Sequence, residues 1–269
     1  MPCAIFVRGL QSVKFNEVTR RTGDWHLVSK NVQLFVTCII DTLYPEIGEA
    51  VVRVLKKTGV KVEFPAGQTC CGQPAFNAGM RSEARKMAKN TIQVFENSPG
   101  DIVIPSGSCT GMVKHGYQEL FADDPEWLKR AQHLADRTFE LTQYLVDVLE
   151  IIDLNSNFTG KITYHPSCHL LRDAGIDRQP RTLLEKVQGA EFHPLPKSEE
   201  CCGFGGLFSI EHPEISKEML ERKISNVVSS GAETLVACDA GCMAHISGGL
   251  HRRNIDRGVL HIAEILASS

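Results

Sequence analysis

Along this chain, short β-rich runs alternate with stretches whose apolar residues return every three or four positions, the spacing of a one-sided helix. Gln33 to Thr37 reads as a strand ending at Cys38, after which Ile47, Val51, Val54 and Leu55 recur at helical spacing until Gly59. VKVEF is the next strand. From Ser82 a helix with Ala84, Met87, Ala88, Ile92 and Phe95 on one face runs to Pro99-Gly100, and DIVIP follows as a strand. The plan then repeats with KITYH, a helix ending near Gly189, AEFHPL, a helix from Pro213 to Gly231, and TLVAC. Strand, helix, strand, helix, strand implies a parallel sheet in each half. The expected fold is therefore α/β, built as two tandem pseudo-symmetric repeats. Residues 1–31 fit neither period and read as an N-terminal extension, with a first half at 32–154 and a second at 155–269. Phe121 to Leu154, with Trp127, Leu134, Phe139, Leu145 and Leu149, is expected to be mostly helical and to join the halves.

Cysteines make the duplication explicit. Cys38, Cys70, Cys71 and Cys109 are answered by Cys168, Cys201, Cys202 and Cys242 at offsets of 130, 131, 131 and 133 residues, and QTCCGQPAFNAG is answered by EECCGFGGLFSI. Each of the eight is expected just past the carboxyl end of a strand and near the start of the next helix. Open α/β sheets bind ligands at that edge, and helix N-termini stabilise thiolates there. Cys3 and Cys238 stand outside the symmetry, the counterpart of Cys238 being Pro105. Cys3 reads as a bystander, whereas Cys238 is open as a further ligand.

A vicinal pair has Cα atoms about 3.8 Å apart and diverging side chains, which suits two irons of a polynuclear cluster better than one ion. Mononuclear zinc favours C-x(2–4)-C turns, and this chain offers only Cys238 to Cys242. A lone cysteine would be read as a small buried apolar residue, but eight at matched offsets favour an iron–sulfur role over zinc or thiol redox. Gly72 and Gly203 beside the pairs let backbone approach a bound group. Gly203-x-Gly205 lacks the third glycine of a dinucleotide fingerprint because Phe208 stands there. No ferredoxin-type C-x2-C-x2-C run, phosphate-binding loop or flavin motif is visible.

Composition narrows the partners. The 269 residues carry a formal charge of −3 with 42% hydrophobic residues and a calculated pI of about 6.4, an ordinary globular profile long enough for two units. That balance lacks the basic excess of a nucleic-acid binder. No apolar run reaches the length of a membrane span, and MPCAIFVRGL lacks the form of a secretory signal. A cytoplasmic location is therefore the expectation, and ten cysteines in a reducing compartment point to metal or redox chemistry.

The two arrays, C-x31-C-C-G followed by Cys109 and C-x32-C-C-G followed by Cys242, resemble the cysteine-rich CCG domain of the heterodisulfide reductases. More narrowly, FVTCIID, FPAGQTCCGQPAFNAG, PSGSCTGM, HPSCHLLR, CCGFGGLFSI and HIAEIL are similar to the lactate utilization protein A family from about Val32 onward. The resemblance implies an iron–sulfur subunit, with one or two clusters of 4Fe-4S type held by the eight matched cysteines. It also implies partners of B and C type in oxidation of L-lactate, or a related 2-hydroxy acid, to pyruvate. The closing C-x-x-C of the reductase pattern is Ser106-x-x-Cys109 and Asp239-x-x-Cys242 here, so its five-cysteine set is incomplete. His165 and His169 flank Cys168 and are candidates either for accepting the substrate proton or for donating an N–H to a cluster sulfur. Arg252, Arg253 and Arg257 read as a solvated face, the alternative being a dock for an acidic carrier or a carboxylate. The rival functions are a zinc-stabilised structural or assembly subunit, a thiol–disulfide oxidoreductase, and a subunit of another 2-hydroxy-acid or heterodisulfide-type oxidoreductase.

Overall fold

In the computed structural model, which describes residues 31–268, the alternation resolves into two four-stranded sheets. Cys3 and all of the expected extension except Asn31 lie outside the described residues. β1 (Asn31–Leu34) pairs in parallel with β2 (Lys61–Glu63) on one side and β3 (Asp101–Ile104) on the other, and β4 (Thr138–Glu140) extends the sheet beyond β3. The second sheet repeats this order with β5 (Asn157–His165), β6 (Gln188–Phe192), β7 (Thr234–Ala237) and β8 (Gly258–His261), also wholly parallel. Because β1 has β2 and β3 on opposite sides, and β5 has β6 and β7, a topological switch falls beside each central strand, where such sheets open a crevice.

The crossovers of the first half are α1 (Cys38–Leu43), α2 (Pro45–Lys57), α3 (Gln73–Asn77), α4 (Arg81–Glu96), α5 (Gly107–Gly111), α6 (Tyr117–Leu120), α7 (Pro125–Asp136) and α8 (Leu141–Gln143). Those of the second are α9 (Arg178–Leu184), α10 (Phe208–Glu211), α11 (Pro213–Ser229), α12 (Ala240–Arg252) and α13 (Ile262–Ala267). α2 shows why its residues form a helix: Pro45 opens it, Glu46 and Lys56 and Lys57 complement its dipole, and Ile47, Val51, Val54 and Leu55 bury one stripe. Each such burial contributes about 1.5–3 kcal/mol.

Alternation along the strands sets the layers. Val32, Leu34, Ile162 and Tyr164 point into a core shared by both halves, packed with residues of α2, α9 and α13. Phe35 and Ile102 point the other way, into a first-half core under α4 and α6. Leu235 does the same in the second half, under α11 and α12.

Three details depart from the sequence pattern. The stretch between the halves is mostly helical as expected, but Thr138–Glu140 interrupts it as β4, paired with β3. The helix expected to end near Gly189 stops at Leu184, and Gly189 (φ 78°) lies inside β6, where a Cβ would come within 3.2 Å of Thr159 Oγ1. β1 ends at Leu34 rather than Thr37, and Thr37 takes a left-handed φ of 75° as the chain turns into α1.

Candidate functional site

A cleft enclosing about 770 Å³, part of it open to solvent, lies where the carboxyl ends of the two sheets face each other. Cys38, Cys70, Cys71, Cys109, Cys168, Cys201, Cys202 and Cys242 all line it. The eight matched cysteines are thus brought together from residues up to 204 positions apart in the chain. Each half supplies them in the same way. Cys38 starts α1 and Cys168 precedes a π-helical turn at His169–Asp173, while Cys109 and Cys242 sit in the first turns of α5 and α12. The vicinal pairs lie in the loops after β2 and β6.

Burial follows the duplication too. Cys38, Cys70, Cys168 and Cys201 are half-buried, whereas Cys71, Cys109, Cys202 and Cys242 are buried. Cys71 Sγ lies 3.3 Å from Cys109 Sγ, and Cys201 Sγ lies 3.8 Å from Cys168 Sγ. The Gly72 amide donates to Cys70 Sγ and the Gly203 amide to Cys201 Sγ, both at 3.4 Å. The glycines make this possible with φ of 90° and 91°, a left-handed backbone costly for other residues. Hydrogen bonds from Cys38 and Cys71 pull the Cys70 thiol down to about 3. Those from Cys168 and Cys202 pull Cys201 down to about 2. The donors Cys38 and Cys168 are pushed up by the same bonds and by burial.

The positions that carry no fifth cysteine have a structural job. Ser106 caps α5 and Asp239 caps α12, and the Ser106 hydroxyl donates to Asp239 Oδ2 at 3.0 Å across the seam between the halves. The Ser108 amide donates to the same oxygen at 3.0 Å. Gly107 and Gly241 allow this close approach: a Cβ at Gly107 would lie 2.6 Å from Leu170 Cβ, and one at Gly241 would lie 2.7 Å from the Phe204 ring.

The two histidines separate. His169 lines the cleft, where Gln73 Nε2 of the first half meets its Nε2 at 3.1 Å and Cys168 Sγ lies 3.7 Å from its Nδ1. With Gln73 as donor, the ring proton sits on Nδ1 and faces the thiol. His165 is fully buried at the end of β5, and among the described residues neither ring nitrogen has a hydrogen-bond partner. One of its nitrogens and the Cys202 and Cys242 sulfurs lie within 4.8 Å of one another. Burial first, then the charge of Lys223, pulls the imidazole down to about 3, so it stays neutral and free to donate or ligate.

Cys238 is not brought to the cleft. It is fully buried on the other side of β7, its thiol 3.6 Å from Tyr164 Oη and its carbonyl accepting from the Gly107 amide at 3.3 Å. Arg253 pairs with Glu221 on α11, away from the thiols. Lys223 escaped the sequence reading. It is completely buried on α11, yet its place three residues after Leu220 and four before Val227 puts a lysine in the apolar stripe, a signal visible in the sequence.

Fold and cleft together define a class: a duplicated parallel α/β protein that presents four thiols from each repeat to one cavity. The model of the cysteine-rich domain named CCG matches residues 32–114 and again 162–247, once per sheet. The chain is 48% identical over 235 residues to lactate utilization protein A of Oceanobacillus iheyensis, covering 87% of this chain and 96% of that protein. Against lactate utilization protein A of Exiguobacterium sp. it is 47% identical over 237 residues, covering 88% and 96%. The chain belongs to the CCG cysteine-rich family and, within it, to the family of lactate utilization protein A. A crystal structure of a hypothetical protein from Helicobacter pylori shares the fold with a TM-score of 0.61 at 12% identity, over 97% of this chain and 52% of that one.

Proposed function

We propose that this protein is an iron–sulfur, electron-transferring subunit of an L-lactate-oxidising system that yields pyruvate with B- and C-type partners. One observation carries the reading: eight thiols in two matched sets line a single cleft at the carboxyl ends of two parallel sheets. The relatives' name, lactate utilization protein A, supplies the substrate.

The donor set fits such a group. Four sulfurs per half suit a four-thiolate cluster, the Gly72 and Gly203 amides already point at sulfur, and the unpartnered His165 ring is a buried donor awaiting an acceptor. Cys38, Cys70, Cys71 and Cys109 would hold one group and Cys168, Cys201, Cys202 and Cys242 another. When bound, an iron–sulfur cluster supplies one-electron transfer and accepts no hydride. Oxidation of lactate removes two electrons and two protons, so a partner subunit carries the two-electron step. His169 orients Cys168 through Nδ1 and is fixed in turn by Gln73, a positioning role.

A second reading has its own observation. His165, Cys202 and Cys242 form a compact, buried Cys/His trio of the kind zinc takes. Anaerobic purification with iron, sulfide and zinc analysis separates the two. The proposal expects a brown protein with about four irons and four sulfides per occupied site, and no pyruvate formed from lactate by the isolated subunit with a soluble acceptor. A colourless protein with stoichiometric zinc and iron far below one per chain overturns it.

A further inference from the structure

The duplication relates the two thiol sets, but not the side chains behind them. Ala84 and Met87 of α4 stand against Gly72 as Ser216 and Met219 of α11 stand against Gly203, an offset of 132 residues. The same offset sets Lys223 opposite Thr91. Both are buried, but one is a cation and the other a neutral hydroxyl. On the central strands, an offset of 130 residues sets His165 opposite Phe35.

Lys223 is an unusual residue to bury, since an ammonium taken out of water costs several kcal/mol unless it is compensated. Its Nζ donates to the carbonyls of Lys197 at 3.3 Å and Ser198 at 3.2 Å, and among the described residues it forms no ion pair. The charges that act to keep it protonated belong to Cys202, Glu200, Cys201 and Cys242, against the larger opposing effect of burial. Three of those four are thiols of the second set. The helix that carries Lys223 packs its Leu220, Ile224 and Val227 in one cluster with Cys202 and Cys242, whereas the first-half position corresponding to Lys223 holds the neutral Thr91.

Resting on the reading above that both sets hold iron–sulfur centres, we infer that Lys223 makes the two centres inequivalent, the second-half centre being the more readily reduced. Adding an electron to a thiolate-bound centre adds negative charge. A cation held nearby in a poorly screened interior favours the reduced form over the oxidised one. The His165 imidazole, close to Cys202 and Cys242 and with neither ring nitrogen partnered, would act in the same direction by donating to a bound sulfur. The corresponding first-half positions hold Phe35 and Thr91, with Tyr117 beside them.

The test is a redox titration of the anaerobically reconstituted full chain, followed by electron paramagnetic resonance. The unmodified chain should show two separated midpoints. Cys71→Ser, which leaves the second-half centre, should keep the higher, and Cys202→Ser should keep the lower. Lys223→Met should move the higher midpoint down by about tenfold or more in its reduction equilibrium, about 59 mV for a one-electron couple. It should leave the other midpoint and the iron content unchanged, and Lys223→Arg, which keeps the cation, should hold the higher midpoint near that of the unmodified chain. A single shared midpoint in the unmodified chain overturns the inference, as does an iron-loaded Lys223→Met chain with both midpoints unmoved. A chain that binds no iron instead overturns the cluster reading itself. The midpoints of the unmodified chain and of the two serine variants keep the test decisive even where Lys223→Met does not fold.

Discussion

In the first half, Phe35, Thr91 and Tyr117 back the thiols, and the Tyr117 hydroxyl donates to the Cys71 carbonyl at 2.9 Å. In the second half the corresponding layer holds His165 and Lys223, and the counterpart of Tyr117 is Leu250. The residues that present sulfur are kept across the repeat, down to the 3.4 Å amide bond from each glycine. The layer behind them is not. Duplication has thus held the donor geometry fixed while leaving the electrostatic surroundings free to diverge. A similar split occurs at the seam, where β4 ends in Glu140 and β8 ends in His261, both fully buried and both capping the next helix.

The largest expected effect breaks the symmetry of metal content. Cys71→Ser and Cys202→Ser should each lower iron to about half that of the unmodified chain, one four-thiolate site being lost each time. Total loss from either, read by iron analysis, would mean one shared site.

Next come the glycines beside the vicinal pairs. Gly203→Ala would place a Cβ 2.7 Å from Ser216 O and 2.9 Å from Met219 Cβ, whereas Gly72→Ala would meet nothing closer than Met87 Cβ at 3.2 Å. Left-handed backbone costs both variants about 1–2 kcal/mol, and overpacking takes Gly203→Ala to about 4 kcal/mol. Denaturant midpoints of the two variants check the order, and equal losses would show that the second half relaxes as easily as the first.

The seam pair predicts opposite pH dependences. Burial raises Glu140 from 4.5 to about 7, so the folded state binds the proton more tightly and stability falls as pH rises across that window. Burial lowers His261 from 6.5 to about 4, so the unfolded state binds the proton more tightly and stability is lost as pH falls through that window. The two oppose each other where the windows overlap. Glu140→Gln should therefore gain about 3 kcal/mol above pH 7 and unmask the His261 slope. Unfolding curves against pH that stay parallel to those of the unmodified chain would contradict this.

The smallest effect concerns the cross-seam bond. Ser106→Ala removes a helix cap and the hydrogen bond to Asp239. It should cost about 1–2 kcal/mol with iron content unchanged, measured by thermal unfolding and metal analysis on one sample.

Much of the fold and the whole thiol array are legible in the sequence, for a physical reason. A parallel strand buried on both faces is a continuous apolar run, and a cysteine set repeated at matched offsets fixes how the runs align. β4 and β8 escape because a run such as Thr138-Phe139-Glu140 is too short to show a period, and it becomes a strand only through its pairing with β3. The helix limit near Gly189 fails because glycine both ends helices and admits close strand approach, and here the second use applies. In the site, the thiols are visible as a pattern, but spacing says nothing about what stands behind them. His165 and His169 are alike in sequence, four residues apart and both near Cys168. One is fully buried behind Cys202 and Cys242 and the other lines the cleft, because strand alternation ends at one and a π-turn begins at the other.

The shared core has a consequence for the independence of the two repeats. α13, the last helix, packs beside α2, with Lys57 Nζ donating to the carbonyls of Leu266 and Ser268 and the Ser156 hydroxyl donating to Leu266 O at 2.7 Å. Ile262, Ile265 and Leu266 belong to the same core as Val32, Leu34 and Val51. The inner face of the first repeat is thus closed by a helix contributed by the second, so the first repeat by itself would leave that apolar face uncovered. A two-part chain whose parts each closed their own core could fold them one at a time; here the shared core couples the stability of the two repeats.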